Sequence, residues 1–243
     1  SKAPRRPGAA APRRRYGARM ELLHTAYVPP GPGPFPTLIA LHGWGASGMD
    51  LLGLAPYLHG GEALVLCPQG PLALEVAPGA LGYGWFPLTS DGIRELDPME
   101  FRRAAATLEA FVDEALGRYP VDRRKVVVVG FSQGGVMAYD LAMRHPARFA
   151  GLAALSSWLP PALADALPKL PEHENWPVLV QHGTQDSMID VERGRESRSA
   201  LQSRGVGLSY REYEMGHEIG PESLRDLIEW LDDKVFSPIK FTL

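Results

Sequence analysis

Lys125-Val126-Val127-Val128-Val129-Gly130-Phe131-Ser132-Gln133-Gly134-Gly135 is the segment around which the other motifs of the chain can be arranged. Four consecutive valines read as a strand buried on both faces. A G-x-S-x-G turn follows, and Val136 to Arg144 is a helix-forming run. Strand, sharp turn and helix in that order are the signature of a nucleophile elbow. The spelling has a steric reason. A serine held at a strained turn projects its hydroxyl clear of the backbone, while the turn crowds the residues two before and two after it. Gly130 and Gly134 carry no Cβ to collide there, and Gly135 lets the helix begin close to the strand. The helix N-terminus then lies under Ser132, where its free N–H groups favour a developing anion.

Working outward, the same kind of buried strand recurs at Thr37–His42, Leu64–Cys67, Phe149–Ser156 and Pro177–Gly183, with alternation at Met20–Val28 and Leu208–Tyr213. Helical spacing marks Pro98 to Tyr119, where Phe101, Ala105, Leu108, Val112 and Leu116 fall on one face. Shorter helices are expected at Leu51–Leu58, Val191–Arg204 and Pro221–Val235, and residues 72–97 read as irregular. Strands alternating with helices predict βαβ units and a mostly parallel central sheet with helices on both faces, an α/β fold. The expected organisation is one domain over residues 20–236, with no internal repeat and no second-domain boundary. A tail over 237–243 has no assignment.

The chain has 243 residues, 45% of them hydrophobic, enough for one full core. Seven of its 25 basic residues lie within positions 1–20, where there is no acid. The remainder sets 18 basic against 28 acidic residues, about −10. An acidic body argues against nucleic acid as the main partner. Residues 1–19, rich in Pro, Ala, Gly and Arg, read as a disordered basic extension. An upstream remnant, an Arg-rich transit segment and a tether to anionic surfaces compete for it, the first being favoured. It has no apolar stretch of the kind a secretory signal needs. Cys67 is the one cysteine; it falls in an apolar strand and reads as a buried small hydrophobe. No intrachain disulfide can form, and a cytoplasmic setting is expected. No run approaches the ~20 apolar residues of a membrane span.

Three residue types in chain order carry the chemistry. Ser132 needs an imidazole to take its proton as it attacks. That imidazole needs a carboxylate on its other nitrogen to hold the right tautomer. Asp186 follows the strand ending at His182-Gly183, and His217 follows the last strand, so each sits where open α/β sheets place their sites. Among the other histidines, His24, His59, His145 and His173 fall on surface strands, loops or helix ends. His42 and His182 belong to strand-end His-Gly pairs, for which a structural hydrogen-bonding role is expected. Asp190 is the rival to Asp186, but its place near a helix start reads as an N-cap. A tetrahedral intermediate needs two backbone donors. The N–H of Gln133, next to the nucleophile, is one. The N–H of Trp44, in the glycine-flanked loop after His42, is the other.

Taken together, Leu41-His42-Gly43-Trp44-Gly45, Cys67-Pro68, Trp85-Phe86, Gly130 to Gly135, Leu155 to Pro160, His182 to Asp186 and Met215-Gly216-His217 resemble the phospholipase/carboxylesterase family of small α/β-hydrolases, over about residues 35–235. That resemblance implies a triad of Ser132, Asp186 and His217 and an oxyanion hole of Trp44 and Gln133. Trp44 departs from the leucine common at its position, Gly183-Thr184 from a frequent Gly-Asp, and the residues after Phe86 from the thioesterase branch.

Trp85, Phe86, Leu88, Trp158, Met188 and Ile189 are expected to bind the acyl group together with Trp44. No long apolar insertion reads as a lid, which favours short- to medium-chain esters. The expectation is a carboxylesterase that needs no cofactor or metal and acts on a small-molecule ester; a homodimer stays open. An acyl-protein thioesterase or lysophospholipase is the alternative within the class, and a dienelactone-hydrolase-like enzyme would want Cys at position 132. Outside it stands a catalytically silent binding scaffold.

Overall fold

A computed structural model describes residues 22–88, 96–167 and 176–237. The expected basic extension over 1–19, His173 and the tail beyond 237 lie outside the described residues.

Seven strands form one sheet in the order β1-β3-β2-β6-β7-β8-β9. They are β1 (His24–Tyr27), β2 (Phe35–Leu41), β3 (Leu64–Pro68), β6 (Val121–Phe131), β7 (Gly151–Leu155), β8 (Val178–Gly183) and β9 (Ser209–Tyr213). β1 pairs antiparallel with β3, and every other pair is parallel. The valine run is the middle of the sheet, and its pleat explains why it is all apolar. Val126 and Val128 point into one apolar layer, Val127 and Val129 into the other. With both faces covered, neither register of side chains can be polar.

The first layer is built by α1 (Pro98–Arg118), α2 (Gln133–Arg144) and residues from α3 (Pro161–Ala166) and α4 (Val191–Gln202). α1 begins where the Asp97 carboxylate accepts from the N–H groups of Met99 and Glu100, with Pro98 at the first helical position. It ends before Pro120. The second layer comes from α5 (Pro221–Trp230), the π-helical turn Leu231–Val235 that continues it, and two 3₁₀ turns, Leu52–Leu54 and Leu58–Gly61. Asp190 caps α4 through the Glu192 N–H, as expected. Cys67 is buried, and desolvation pushes its thiol up to about 12.

Two local expectations are corrected. The helix over Leu51–Leu58 is instead the pair of 3₁₀ turns, because Gly53 and Pro56 interrupt a longer ladder. Residues 72–84, read as irregular, form a hairpin of β4 (Leu72–Ala77) and β5 (Ala80–Gly84) turning at Pro78-Gly79. The hairpin docks on the loop after β2: Gly45 N–H donates to the Tyr83 carbonyl at 2.9 Å and Tyr83 N–H to that of Ala46 at 2.7 Å.

Candidate active site

Ser132 stands between β6 and α2 with φ 53° and ψ −122°. A non-glycine residue at positive φ is strained, and the strain is held by its surroundings. The Ser132 N–H donates to the Leu155 carbonyl at 2.9 Å, and the Ser157 hydroxyl donates to the Ser132 carbonyl at 2.7 Å. The glycines permit the turn. A Cβ on Gly130 would stand 2.2 Å from the carbonyl oxygen of Gly134. Any larger residue would force strand and helix apart.

His217 Nε2 lies 3.0 Å from Ser132 Oγ, and its Nδ1 lies 2.8 Å from Asp186 Oδ2. A carboxylate only accepts, so Nδ1 carries the hydrogen and Nε2 turns its lone pair to the serine. The other Asp186 oxygen accepts from the N–H groups of Met188 at 2.9 Å and Ile189 at 2.8 Å. These bonds wrap the loop after β8 around the carboxylate, whose side chain is fully buried. The three residues come from three strand ends, β6, β8 and β9, and meet at one edge of the sheet.

On the other side of Ser132 lies the loop after β2. Gly43 packs so close that a Cβ there would sit 3.2 Å from Ser132 Cβ. Among the described residues, neither the Trp44 N–H nor the Gln133 N–H donates to another group of the protein. The Gln133 side chain faces inward: Oε1 accepts from the Trp85 N–H at 2.8 Å, and Nε2 donates to the Phe86 carbonyl at 2.7 Å.

A cleft of about 740 Å³ opens over this edge, walled mainly by apolar side chains. Trp44, Leu88, Trp158, Met188 and Ile189 all line it. Trp85 and Phe86 do not. Each is 2% exposed and belongs to the core beneath the cleft, which corrects their expected place on the acyl wall. Their polar atoms explain the placement: the Trp85 indole N–H donates to the His42 carbonyl at 2.9 Å, and both backbones hold the Gln133 amide. Leu51, Leu54, Phe131 and Ile219 complete the wall. No sequence signal separates these from ordinary core, since a leucine facing a cleft and one facing a helix are spelled alike. Among the described residues, Asp50 and Glu218 are the acidic residues of the wall, and no lysine or arginine lines it. No group of metal-ligating side chains is found among the described residues.

The parallel sheet, the elbow between β6 and α2, and the site at the strands' C-terminal edge define an α/β-hydrolase. The model of the phospholipase/carboxylesterase family matches residues 24–235, and the chain belongs to that family of carboxylic-ester hydrolases. It is 30% identical over 223 residues to acyl-protein thioesterase 1 of Cryptococcus neoformans var. neoformans serotype D, covering 80% of this chain and 90% of that relative. Carboxylesterase SOBER1 of Arabidopsis thaliana is 26% identical over 203 residues, covering 80% and 88%. The solved structure of SOBER1 superposes with a TM-score of 0.65 at 25% identity, over 80% of this chain and 96% of that one. A Bacillus cereus carboxylesterase shares the fold, with a TM-score of 0.71 at 23% identity over 89% and 95%. No helix among the described residues is long and apolar enough to cross a membrane.

Proposed function

We propose that the chain is a serine carboxylesterase for short- to medium-chain acyl esters, with Ser132 as nucleophile, His217 as base and then acid, and Asp186 orienting the imidazole. What carries the reading is the unbroken run from Ser132 Oγ through His217 to Asp186, at 3.0 and 2.8 Å. Attack by Ser132 on the ester carbonyl passes its proton to His217 Nε2. The carbonyl oxygen becomes an oxyanion between the Trp44 and Gln133 N–H groups. Collapse expels the alcohol with the proton from His217. Water then attacks the acyl-enzyme by the same route and frees the acid and Ser132. No step asks for a metal or cofactor.

The cleft bears on the substrate. Its volume suits one small ester, and its walls are apolar but for the reacting groups and two carboxylates. The Trp44 indole at the wall narrows the acyl end and favours short chains. Asp50 and Glu218, with no cation opposite among the described residues, favour neutral or cationic esters over anionic ones. Substrate is taken as a small molecule, the domain as residues 20–236, and the place of action as the cytoplasm, in keeping with a single buried thiol. A second reading, an acyl-protein thioesterase or lysophospholipase, draws on the name of the 30%-identical relative.

A series of p-nitrophenyl esters from acetate to palmitate, with Ser132→Ala alongside, tests both. The expected result is an optimum at short chains and a loss of about 10⁶-fold in kcat for Ser132→Ala. A long-chain optimum moves the assignment to the second reading. An inactive wild type that also fails to react with a fluorophosphonate leaves a silent scaffold.

A further inference from the structure

His42 is 1% exposed, directly follows β2 and lies in the floor of the cleft, with both ring nitrogens and its carbonyl engaged by the protein. Its Nε2 accepts from the Gly70 N–H at 2.9 Å. Its Nδ1 lies 2.7 Å from the Gly43 carbonyl. Its own carbonyl accepts from the Trp85 indole at 2.9 Å, and the two rings lie 5.3 Å apart. These partners fix the proton. A peptide N–H can only donate, so Nε2 holds a lone pair; a carbonyl can only accept, so Nδ1 holds the hydrogen. The ring is neutral and in one tautomer. Burial supports this by pushing protonation down, against the opposing pull of the Gly43 carbonyl and the Asp50 charge.

The consequence falls on the next peptide. The Gly43–Trp44 bond is trans, because Gly33–Pro34 is the only cis bond among the described residues. In a planar trans peptide the carbonyl and the N–H point in opposite directions. Holding the Gly43 oxygen inward, against His42 Nδ1 and the Ala46 N–H at 3.3 Å, therefore turns the Trp44 N–H outward. Gly43 packs against Ser132, and the outward side is the cleft. Without the imidazole, the Ala46 N–H alone would restrain this peptide. A glycine peptide turns easily.

We propose that His42 is a positioning residue: its Nδ1–H anchors the Gly43 carbonyl and so aims the Trp44 N–H at the oxyanion. Trp85 and Gly70 act behind it, fixing the ring and its tautomer. The proposal rests on the esterase reading, since it assigns the Trp44 N–H to the oxyanion that reading requires.

Three variants separate the bonds. His42→Asn keeps a donor at the δ position. His42→Gln reaches the ε position and can accept from Gly70, but gives Gly43 no donor. His42→Leu gives neither. The expected result is a loss of about 100-fold in kcat for Leu and Gln, the value of one oxyanion donor, with KM within about twofold. An alkyl boronic acid, whose adduct with Ser132 mimics the tetrahedral intermediate, should lose affinity in parallel, and Asn should recover most of both. Equal kcat in Asn and Gln, or a folded Leu variant with wild-type kcat, overturns the proposal.

The ¹⁵N spectrum of the wild-type imidazole decides the case even where variants do not fold. A protonated Nδ1 and bare Nε2 are expected, and the opposite tautomer overturns the proposal. A wild type inactive on all esters would sink the esterase reading, while leaving the tautomer measurement as it stands.

Discussion

Two loops flank Ser132, and each follows a buried His-Gly pair at the end of a parallel strand: His42-Gly43 directly after β2 and His182-Gly183 as the last two residues of β8. The resemblance ends at the rings. His42 donates from Nδ1 to the carbonyl of the very next residue and accepts at Nε2. His182 is turned the other way. Its Nε2 lies 2.8 Å from the Ile189 carbonyl and 3.5 Å from Asp186 Oδ2. Both are acceptors, so Nε2 bears the hydrogen, and Nδ1 is left without a partner beneath the backbone of α4 at Gly194. One histidine orients a single peptide. The other closes a seven-residue loop whose cargo is a carboxylate. The same dipeptide serves a donor on one side of the nucleophile and a charge on the other.

The comparison predicts unequal penalties. Asp186→Asn removes the charge from the β8 side and leaves an amide able to favour the wrong imidazole tautomer. It is expected to lower kcat by about 10⁴-fold with little change in KM. That exceeds by about a hundredfold the expected loss of one donor on the β2 side. Steady-state hydrolysis of p-nitrophenyl butyrate checks it. Losses of similar size from both sides would mean that the charge and the donor matter alike, and the contrast would go.

The smaller contrast lies between the rings themselves. His182→Leu strands the buried Ile189 carbonyl, at about 1–3 kcal/mol of stability. It also slackens the loop holding Asp186, with kcat falling about 10- to 100-fold. Burial lowers the His182 pKa, against the raising effects of the Ile189 carbonyl, Asp186 and Glu212 and alongside the lowering charge of His217. The sign of the pH effect follows from a folded pKa below the ordinary 6.5. Between the two values the unfolded chain binds the extra proton, so stability is full above 6.5 and declines as pH falls below it. The limiting slope is about 1.4 kcal/mol per pH unit for each such histidine. His42, lowered by the same cause, contributes in the same direction. Urea unfolding at pH 8, 6.5 and 5.5 should show a slope shallower by up to one proton in His182→Gln than in the wild type. An unchanged slope would mean that this ring is not held neutral.

What the sequence made legible follows from how local each signal is. The elbow is spelled by contiguous residues, because the steric demand at Gly130 and Gly134 is local. The order Ser132, Asp186, His217 could be read because each follows a strand. The hairpin over 72–84 escaped because its faces are largely exposed, and the alternation of Leu72, Leu74 and Val76 is blunted by Ala73 and Ala77. Pro78-Gly79, between Leu72–Ala77 and Ala80–Gly84, was the usable sign. Trp85 and Phe86 were misplaced for a different reason. Their large rings advertise an apolar surface, but their partners, the His42 carbonyl and the Gln133 amide, lie more than 40 residues away in sequence. The tautomers of His42 and His182 are equally beyond a sequence, since identical dipeptides take opposite ones.

The two sides differ last in their carboxylates. On the β2 side, Asp50 is turned to its own loop, accepting from the Ser47 N–H at 2.8 Å and the Ser47 hydroxyl at 2.7 Å. Across the cleft, Glu218 is exposed, and among the described residues its carboxylate has no ion-pair partner. Its charge is therefore the one a substrate meets without a structural role to confuse the reading. Glu218→Gln should leave kcat/KM for a neutral ester within about twofold and raise it about two- to fivefold for an ester bearing an anionic group, the range of an exposed charge pair. For a trimethylammonium ester the change should reverse. Salt should shrink all of these, because the Debye length falls to about 3 Å at 1 M. If Glu218→Gln moves neutral and charged esters equally, the residue acts on His217 beside it rather than on the substrate. The acidic mouth would then belong to Asp50 alone, tied as it is to its own turn.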